Sequence, residues 1–312
     1  MPHHRAYNWI NIAFLALSPV AASVGVGFFL YYQGLHSEEL VVFAVMASCT
    51  ALALTAGYHR YYSHRSYECH PTVQVFFLLF GAAALQNSAL IWASNHRLHH
   101  RFVDQEGDPH NIKKGVFWAH MGWICYKPHP GRDFANVPDL KADCLVRWQH
   151  RYYLPLGISV GFVLPLLIGF VLGRPWSGCL WGGLARVVLL HHTTFLINSA
   201  GHYSGLQPYS AKDSSRDSWW LALLMFGDGY HNFHHAFPGD YRGGIAWYHW
   251  DPTKWWIWSL NRAGLAGRLN RTAARAIVQA RARMARLSRV SPEEESGRKK
   301  GKKDGSTVCE HP

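Results

Sequence analysis

Five blocks of apolar residues, separated by polar segments, dominate the chain. They cover residues 10–32, 40–56, 72–93, 154–172 and 179–197. Each block has about 17 to 23 residues, a length that crosses a hydrocarbon core of roughly 30 Å when it is helical. The blocks therefore predict an all-α integral membrane protein. The first block is longer than the apolar region of a signal peptide and has no small-residue cleavage site, so we interpret it as a retained span.

The third block differs from the others because it carries polar side chains, among them Gln74, Gln86, Asn87 and Ser88. Such groups are costly against lipid, so we assign residues 72–93 to a non-spanning helix that is embedded or interfacial and lines a cavity. The other four blocks are then the membrane spans.

Histidine clusters occupy the polar segments between the blocks. Nine candidate metal ligands result: His59, His64, His96, His99, His100, His202, His231, His234 and His235. Positions i, i+3 and i+4 share one face of a helix, so each H-x-x-H-H cluster is expected to present three imidazoles to one point. Nine ligands are too many for one structural zinc site, and two metals are predicted.

The pair His59 and His64 is five residues apart, which corresponds to roughly 140° around an α-helix. These two side chains therefore either reach two different metals, or the helix ends between them. Asn198 and His202 are one turn apart and share a face.

Topology follows from the need for a shared site. If all five blocks crossed the membrane, His59 and His64 would lie on the opposite side from His96, whereas four spans place every cluster on one side. The segment 94–151 has nine Lys and Arg residues and the turn at 33–39 has none. The positive-inside rule then predicts that the histidines and both termini are cytosolic.

Composition refines this picture. The chain is 49% hydrophobic but carries a formal charge of +12. Much of that charge lies beyond the membrane domain at 1–267: residues 268–290 predict a basic amphipathic helix on anionic lipid, and 291–312 predict a disordered tail. We expect no nucleic-acid partner, because no recognised binding module accompanies this charge. The six cysteines have no C-x-x-C spacing, so disulfides and thiolate metal sites are not expected.

Five sequence segments resemble the membrane-bound acyl-CoA Δ9 (stearoyl-CoA) desaturase family of fatty acid desaturases. They are Gly57-Tyr-His-Arg-Tyr-Tyr-Ser-His-Arg-Ser-Tyr67, Asn95-His-Arg-Leu-His-His-Arg-Phe102, Asp108-Pro-His-Asn111, Asn198-Ser-Ala-Gly-His202 and Gly227-Asp-Gly-Tyr-His-Asn-Phe-His-His-Ala-Phe-Pro238. The resemblance runs to about Gly267. It implies four spans beneath a cytosolic helical cap that holds two irons, with the nine histidines as ligands and Asn198 holding a water on one iron.

The resemblance also implies a reaction. Two irons, cycling between Fe2+ and Fe3+ with O2 as co-substrate, remove two hydrogens from a long saturated acyl-CoA and leave a cis double bond at Δ9. Zinc has no redox chemistry and could not do this. The chain has no His-Pro-Gly-Gly haem segment. We therefore expect electrons from a separate donor, either ferredoxin or a cytochrome b5-like protein with its reductase.

The family's tunnel for a bent acyl chain matches here in Gln86, Trp92 and Thr194. Ala47 and Ala51, one turn apart in the second span, are candidates for the end of that tunnel. These five residues predict that chain length and double-bond position are set by geometry.

The head-group contacts depart from the family. Ser94-Asn95 replaces an Arg-Asp pair, and Lys127-Pro128 replaces a basic pair. Lys113, Lys114 and Lys127 remain as candidate phosphate partners. An acyl chain on a glycerolipid or on acyl carrier protein is therefore an alternative to acyl-CoA.

Other classes of protein fit less well. A related di-iron hydroxylase or monooxygenase is disfavoured by Asn198 with His202 and by the residues that bend the acyl chain. A metal transporter would place histidines within its spans. Iron content and O2 consumption would separate an enzyme from a structural zinc scaffold.

His110 is a candidate for a residue behind the ligands, and His191 and Arg186 are expected to be structural. The absence of a fused haem segment and of an organelle signal favours a bacterial inner membrane.

Overall fold

The structure, a computed structural model, describes residues 6–127 and 133–301, with side chains through Arg289. Within these residues the α-helices are α1 (Trp9–Gln33), α2 (Ser37–Leu52), α3 (Pro71–Ala83), α4 (Ala89–Phe102), α5 (Val116–His120), α6 (Pro138–Ala142), α7 (Cys144–Arg151), α8 (Tyr153–Ile158), α9 (Leu164–Val171), α10 (Pro175–Gly178), α11 (Arg186–Ser199), α12 (Trp219–Leu224), α13 (His231–Ala236), α14 (Pro252–Arg262) and α15 (Ala274–Gly301). Two short strands, β1 (Glu68–Cys69) and β2 (Ala266–Gly267), pair antiparallel.

π-helical turns join several of these helices into longer runs. They cover Ala53–Ser63, Ser159–Val163 and Cys179–Ala185. Short 3-10 helices cover Ile112–Lys114, Gly122–Cys125 and Ala200–His202.

Four helical runs are long and apolar enough to cross a membrane. They are Trp9–Gln33, Ser37–Ser63, Tyr153–Val171 and Pro175–His202. The prediction of four spans is confirmed, and the chain is a multi-pass integral membrane protein. The second and fourth runs extend beyond the apolar blocks and end at the histidine motifs, so the spans carry the site directly.

The predicted single helix over residues 72–93 is wrong, because the structure has two helices there, α3 and α4. Leu85 and Asn87 between them have positive φ values of 54° and 78°. The Ser88 side chain caps α4 by accepting a hydrogen bond from Ile91 N at 3.4 Å. Polar residues at 86–88 favour a turn and a cap over a continued helix. With 13 residues, α3 is too short to span a bilayer as the four longer runs do.

The fourth span satisfies the carbonyl groups that this break exposes. The Arg186 guanidinium donates to the carbonyl oxygens of Ala83 at 2.7 Å and Gly161 at 2.9 Å. His191 Nε2 lies 2.8 Å from the carbonyl oxygen of Ala84 and donates to it. Both side chains are therefore structural, as the sequence predicted.

The helix α3 packs tightly against the π-helical turn of the second span. A Cβ on Gly57 would lie 2.5 Å from the Phe77 ring, and a Cβ on Gly81 would lie 2.3 Å from the Tyr58 ring. Any larger residue at these two positions would push the helices apart. This contact fixes the position of the π-helical turn, which carries His59.

The basic helix α15 docks on the cap through Ile277, which is buried in a cluster with Tyr209 and Phe233. Phe233 belongs to α13, so α15 lies behind a helix that carries three of the candidate ligands. The helix continues to Gly301, past the boundary predicted at residue 290. The remainder of the predicted tail, 302–312, lies outside the described residues.

Candidate metal centre

Two groups of histidine nitrogens lie at the ends of the second and fourth spans. The first histidine group comprises His59, His64, His96 and His234, and the second histidine group comprises His99, His202, His231 and His235. Within each group the ligand atoms all lie within 4.8 Å of one another. This is the spacing that a single ion needs to contact four imidazoles.

Short distances between Nε2 atoms show how closely the rings converge. In the first group His64 and His96 are separated by 2.7 Å and His59 and His234 by 3.0 Å. In the second group His202 and His231 are likewise 3.0 Å apart.

The ninth candidate, His100, joins the first group at its edge. Its Nε2 lies 2.9 Å from that of His234, and its ring centroid is 4.5 Å from that of His64. His100 also stacks on His235 with a centroid distance of 4.4 Å. It therefore lies on the boundary between the two groups, and all nine candidate ligands are brought together.

The prediction that each H-x-x-H-H cluster converges on one point is wrong. His96 belongs to the first group and His99 to the second, while His231 and His235 belong to the second and His234 to the first. On an α-helix, position i+4 lies about 40° from position i, whereas i+3 lies roughly 60° away in the other direction. Since α4 and α13 run beside both groups, each helix contributes to both.

His59 and His64 lie in the same group, so their rings surround one candidate metal position rather than two. The segment Ala53–Ser63 is a π-helix, in which hydrogen bonds link residues five apart. Residues i and i+5 then lie close together, and the backbone N–H of His64 donates to the carbonyl oxygen of His59 at 3.2 Å. The helix ends at Ser63, which confirms the alternative that it ends between the two histidines.

Acceptors behind the rings fix the tautomer of three ligands. Nδ1 of His59 lies 2.9 Å from Asp228 Oδ2, and Nδ1 of His99 lies 2.9 Å from Asp108 Oδ1. Because a carboxylate only accepts, Nδ1 carries the proton and Nε2 keeps its lone pair for a metal.

The third histidine, His202, is oriented by a hydroxyl group instead of a carboxylate. Ser214 Oγ donates to Asp104 Oδ1 at 2.6 Å, so at 2.9 Å from His202 Nδ1 it accepts from that ring. The three acceptors Asp228, Asp108 and Ser214 were not assigned roles from sequence. Asp228 stands three residues before His231, and Asp108 opens the Asp-Pro-His-Asn segment, so proximity to the motifs was the available signal.

Burial keeps the ligands neutral. It lowers the pKa of His96, His99 and His235 well below the usual value, and the charges of neighbouring histidines lower it further. Neutral imidazoles bind transition metals. The residues therefore fit two metal ions, each held by nitrogen donors, and no cysteine of the described segments joins either group.

His110 lies behind the second group. Its ring centroid is 4.2 Å from that of His99, and its Nδ1 is 3.7 Å from Asp108 Oδ1. Together His99, Asp108 and His110 form a third cluster of possible ligand atoms. Since His99 also belongs to the second group, His110 is placed to support that ligand.

Of the residues predicted to line the acyl tunnel, Trp92 lies next to the first histidine group. Trp92 stacks on His96 with a centroid distance of 5.1 Å and an interplanar angle of 22°. Gln86 Nε2 donates to Thr194 Oγ1 at 3.1 Å, which joins the α3–α4 break to the fourth span. In α2, Ala51 is buried and Ala47 is half-buried. Asn198 lies one turn before His202, at the end of α11.

The predicted head-group positions differ in exposure. Lys113, Lys114 and Lys127 are exposed, and Lys114 Nζ contacts Glu106 Oε2 at 3.0 Å. Ser94 is buried, and its hydroxyl donates to Asn136 Oδ1 at 2.9 Å. Position 94 is thus closed off by the cap rather than open to a ligand.

Comparison with known proteins shows that the chain is similar in sequence to fatty acid desaturases. Residues 39–267, which contain all nine histidines, match the family model described as fatty acid desaturase. The chain is 38% identical to acyl-CoA desaturase 1 of Saccharomyces cerevisiae over 282 residues, 89% of this chain and 54% of that protein. It is 33% identical to sn-1 stearoyl-lipid 9-desaturase of Anabaena variabilis over 275 residues, 83% of this chain and 92% of that protein.

An animal relative is similar to the same extent. The chain is 34% identical to stearoyl-CoA desaturase of Capra hircus over 266 residues, 83% of this chain and 73% of that protein. In contrast, the chain spans only about half the length of the Saccharomyces relative and of the probable acyl-CoA desaturase of Schizosaccharomyces pombe.

Proposed function

Because this chain belongs to the fatty acid desaturase family, we propose that it introduces a cis double bond into a long saturated fatty acyl chain, most directly at Δ9 of an acyl-CoA. The reaction uses O2 and two irons. The observation that carries the proposal is the pair of adjacent histidine groups, each with ring nitrogens that converge within 4.8 Å. Two such groups side by side suit a reaction that needs two redox metals acting together.

Each histidine group would hold one metal ion. The first group with His100 would hold one ion and the second group the other, with Asn198 placed near the second through His202. Bound there, two irons would supply, with O2, the oxidising power to remove hydrogens from an unactivated methylene pair, which no side-chain acid or base can do. Asp228, Asp108 and Ser214 keep the rings oriented for this task.

The neighbouring side chains would position the substrate. Trp92 beside His96 and the Gln86–Thr194 hydrogen bond form the wall where the acyl chain bends past the first group. Ala51 and Ala47 on α2 would limit how far the methyl end extends. Which carbons meet the metals then depends on the distance from the bend to the head group. Five of the nine histidines, His59, His99, His202, His231 and His234, are buried, which limits the access of water and protects the reaction from competing chemistry.

The second part of the proposal concerns the head group that carries the acyl chain. Lys113, Lys114 and Lys127 are exposed cations that could contact phosphates, which supports acyl-CoA. The competing candidate is an acyl-lipid substrate, with acyl carrier protein as a further carrier. It is favoured by the buried Ser94 in place of a basic contact and by similarity to the stearoyl-lipid 9-desaturase, which this chain covers over 92% of its length.

Electrons would come from a separate donor, a ferredoxin or a cytochrome b5-like protein with its reductase.

The excess of Lys and Arg between residues 94 and 151 supports a cytosolic position for the histidines. The bacterial inner membrane stays a prediction. Yeast and goat relatives point to a eukaryotic membrane as the competing location.

The decisive experiment is expression in a host that lacks its own desaturase, with iron and a compatible donor. Mass spectrometry would locate double bonds in each lipid class, and timed labelling would show whether CoA esters or glycerolipids are desaturated first. We expect cis-9 monoenes, and none from His99→Ala or His234→Ala. A hydroxylated product, or full activity of both variants, would refute the proposal.

A further inference from the structure

The C-terminal helix α15 packs on the cap through a small set of side chains. Ile277 is 7% exposed and lies in a cluster with Tyr209 and Phe233. One turn further along α15, the Arg281 guanidinium donates to the Tyr209 hydroxyl at 2.6 Å. The same guanidinium lies over the Tyr209 ring, 5.1 Å from its centroid. We call Ile277, Arg281, Tyr209 and Phe233 the α15 contact.

Phe233 connects the α15 contact to the candidate ligands. It lies within α13, a helix of six residues that also carries His231, His234 and His235. Successive residues of an α-helix are about 100° apart, so Phe233 points away from the side that the three histidines share. So short a helix is not stable alone and depends on packing. Helix α15 supplies that packing behind α13.

Tyr209 belongs to a loop, residues 203–218, for which the structure describes no helix or strand. The Asn232 side chain of α13 ties this loop down at two places. Its Oδ1 accepts from Tyr209 N at 2.9 Å, and its Nδ2 donates to the carbonyl oxygen of Ser215 at 3.0 Å. The segment 209–215 is therefore held by Asn232 on one side and by α15 on the other.

Two side chains within this segment face the second histidine group. Ser214 Oγ accepts from His202 Nδ1 at 2.9 Å, and Asp213 Oδ2 lies 3.7 Å from His235 Nδ1. Helix α13 carries two members of the second group and one member of the first. The α15 contact thus lies behind three of the four residues of the second group, but behind only one residue of the first.

We propose that Ile277 and Arg281 of α15 are positioning residues for the second histidine group. They hold Tyr209 and Phe233, and these two side chains keep the segment 209–215 and α13 in place behind the ligands. This inference rests on the proposed function, because it assumes that each histidine group holds a metal ion. It assigns α15 a role at the candidate metal centre although the helix touches no ligand.

The size of the effect follows from the residues through which α15 acts. Without α15 the loop gains freedom, and Ser214 no longer fixes the ring of His202. Residues that orient a ligand typically change metal affinity by about 10- to 100-fold. Because α15 acts through such residues, we expect a loss near the lower end, about tenfold, at the second group and a smaller loss at the first.

The test replaces Ile277 by glutamine, which is polar, uncharged and a good helix former. Val278→Gln is the matched control, because Val278 is the next residue of α15 and is 64% exposed. Ile277→Leu keeps the apolar volume and should preserve the contact. Tyr209→Leu disturbs the same contact from the loop, so the inference does not depend on one variant.

The full-length, metal-free proteins in detergent would be titrated with Co2+ against a chelator, and bound ions would be counted by elemental mass spectrometry. We expect two ions in the wild type, with one of them bound about tenfold more weakly in Ile277→Gln and in Tyr209→Leu. Val278→Gln and Ile277→Leu should bind both ions as the wild type does. In a His202→Ala background, where the remaining ion reports on the first group, Ile277→Gln should add little.

Three results would overturn the inference: wild-type affinities in both Ile277→Gln and Tyr209→Leu, an equal weakening of both ions, or the same loss in Val278→Gln. Failure of the proposed function is visible separately. A wild type that binds two ions but forms no double bonds would refute the desaturase reaction and leave the role of α15 standing.

Discussion

Asp228 links His59, a candidate metal ligand, to a buried ion-pair network, so its replacement by asparagine is a sharp test of the candidate metal centre. Its Oδ2 lies 2.9 Å from His59 Nδ1, and its Oδ1 lies 3.0 Å from Arg60 Nη2. Arg60 also contacts Asp251 Oδ1 at 3.1 Å. Although burial alone would raise the pKa of Asp228, His59 and Arg60 lower it, and the carboxylate stays charged.

The magnitude follows from the partners that remain in Asp228→Asn. The asparagine side chain would face two hydrogen-bond donors with only one accepting oxygen, so His59 or Arg60 loses its contact. Arg60 would still contact Asp251, so the hydrogen bond of His59 is the one that we expect to be lost. A hydrogen bond to a charged group contributes about 1.5–3 kcal/mol, and about 1.4 kcal/mol corresponds to a tenfold change in affinity. We therefore expect metal affinity to fall about 10- to 100-fold, the range typical of residues behind a metal ligand.

The assay is competition for iron or cobalt against a chelator, using purified protein in detergent. Asp240→Asn is the matched control, because Asp240 is a buried carboxylate paired with Arg242 at 2.8 Å and is not among the acceptors assigned to a histidine ligand. The control should keep wild-type affinity. If Asp228→Asn also binds metal as tightly as the wild type, the orientation of His59 does not depend on this carboxylate and the reasoning is refuted.

Three further predictions concern the tunnel and the protonation state of the ligands. Ala51→Phe should shift products toward shorter acyl chains in gas chromatography, because residue 51 is buried at the proposed tunnel end. Gln86→Leu should remove the bond to Thr194 and lower regioselectivity, measured as a broader spread of double-bond positions. Acidification from about pH 7 to 5 should lower the melting temperature of metal-free protein, since burial lowers the pKa of His96 and unfolding lets it bind a proton near its ordinary value.

Each of these has a clear contrary outcome. An unchanged chain-length profile in Ala51→Phe, with Leu17→Phe on the exposed face of α1 as control, would place the tunnel end elsewhere. A single unchanged double-bond position in Gln86→Leu would show that the bend does not depend on this contact. A melting temperature that rises on acidification would contradict neutral, buried ligands.

The nine candidate ligands could be selected from sequence because their spacing is local, but their division between two histidine groups could not. His96 and His99 belong to different groups although they are three residues apart. Which side of a helix faces which group depends on where α4 and α13 pack, and that is a tertiary property. The π-helical turn that unites His59 and His64 likewise has no evident sequence signal.

The acceptors behind the ligands were missed for a related reason. His59 and Asp228 are 169 positions apart in the chain, and an aspartate before a histidine motif is as easily a surface residue. Only the fold shows that the same carboxylate also meets Arg60. Single-sequence reasoning therefore finds candidate ligands more readily than the residues that orient them.

The break between α3 and α4 explains two features that looked separate in the sequence, a charged residue inside a span and polar residues inside an apolar block. In a bilayer, backbone carbonyls freed by a broken helix need partners from the protein. Arg186 and His191 provide them at Ala83 and Ala84, and in return the carbonyl oxygens solvate the Arg186 charge. The break ends α3 at Ala83 and lets α4 begin at Ala89, and α4 carries Trp92 and His96 to the candidate metal centre. The intramembrane arginine is thus part of what positions the site, although it touches no ligand.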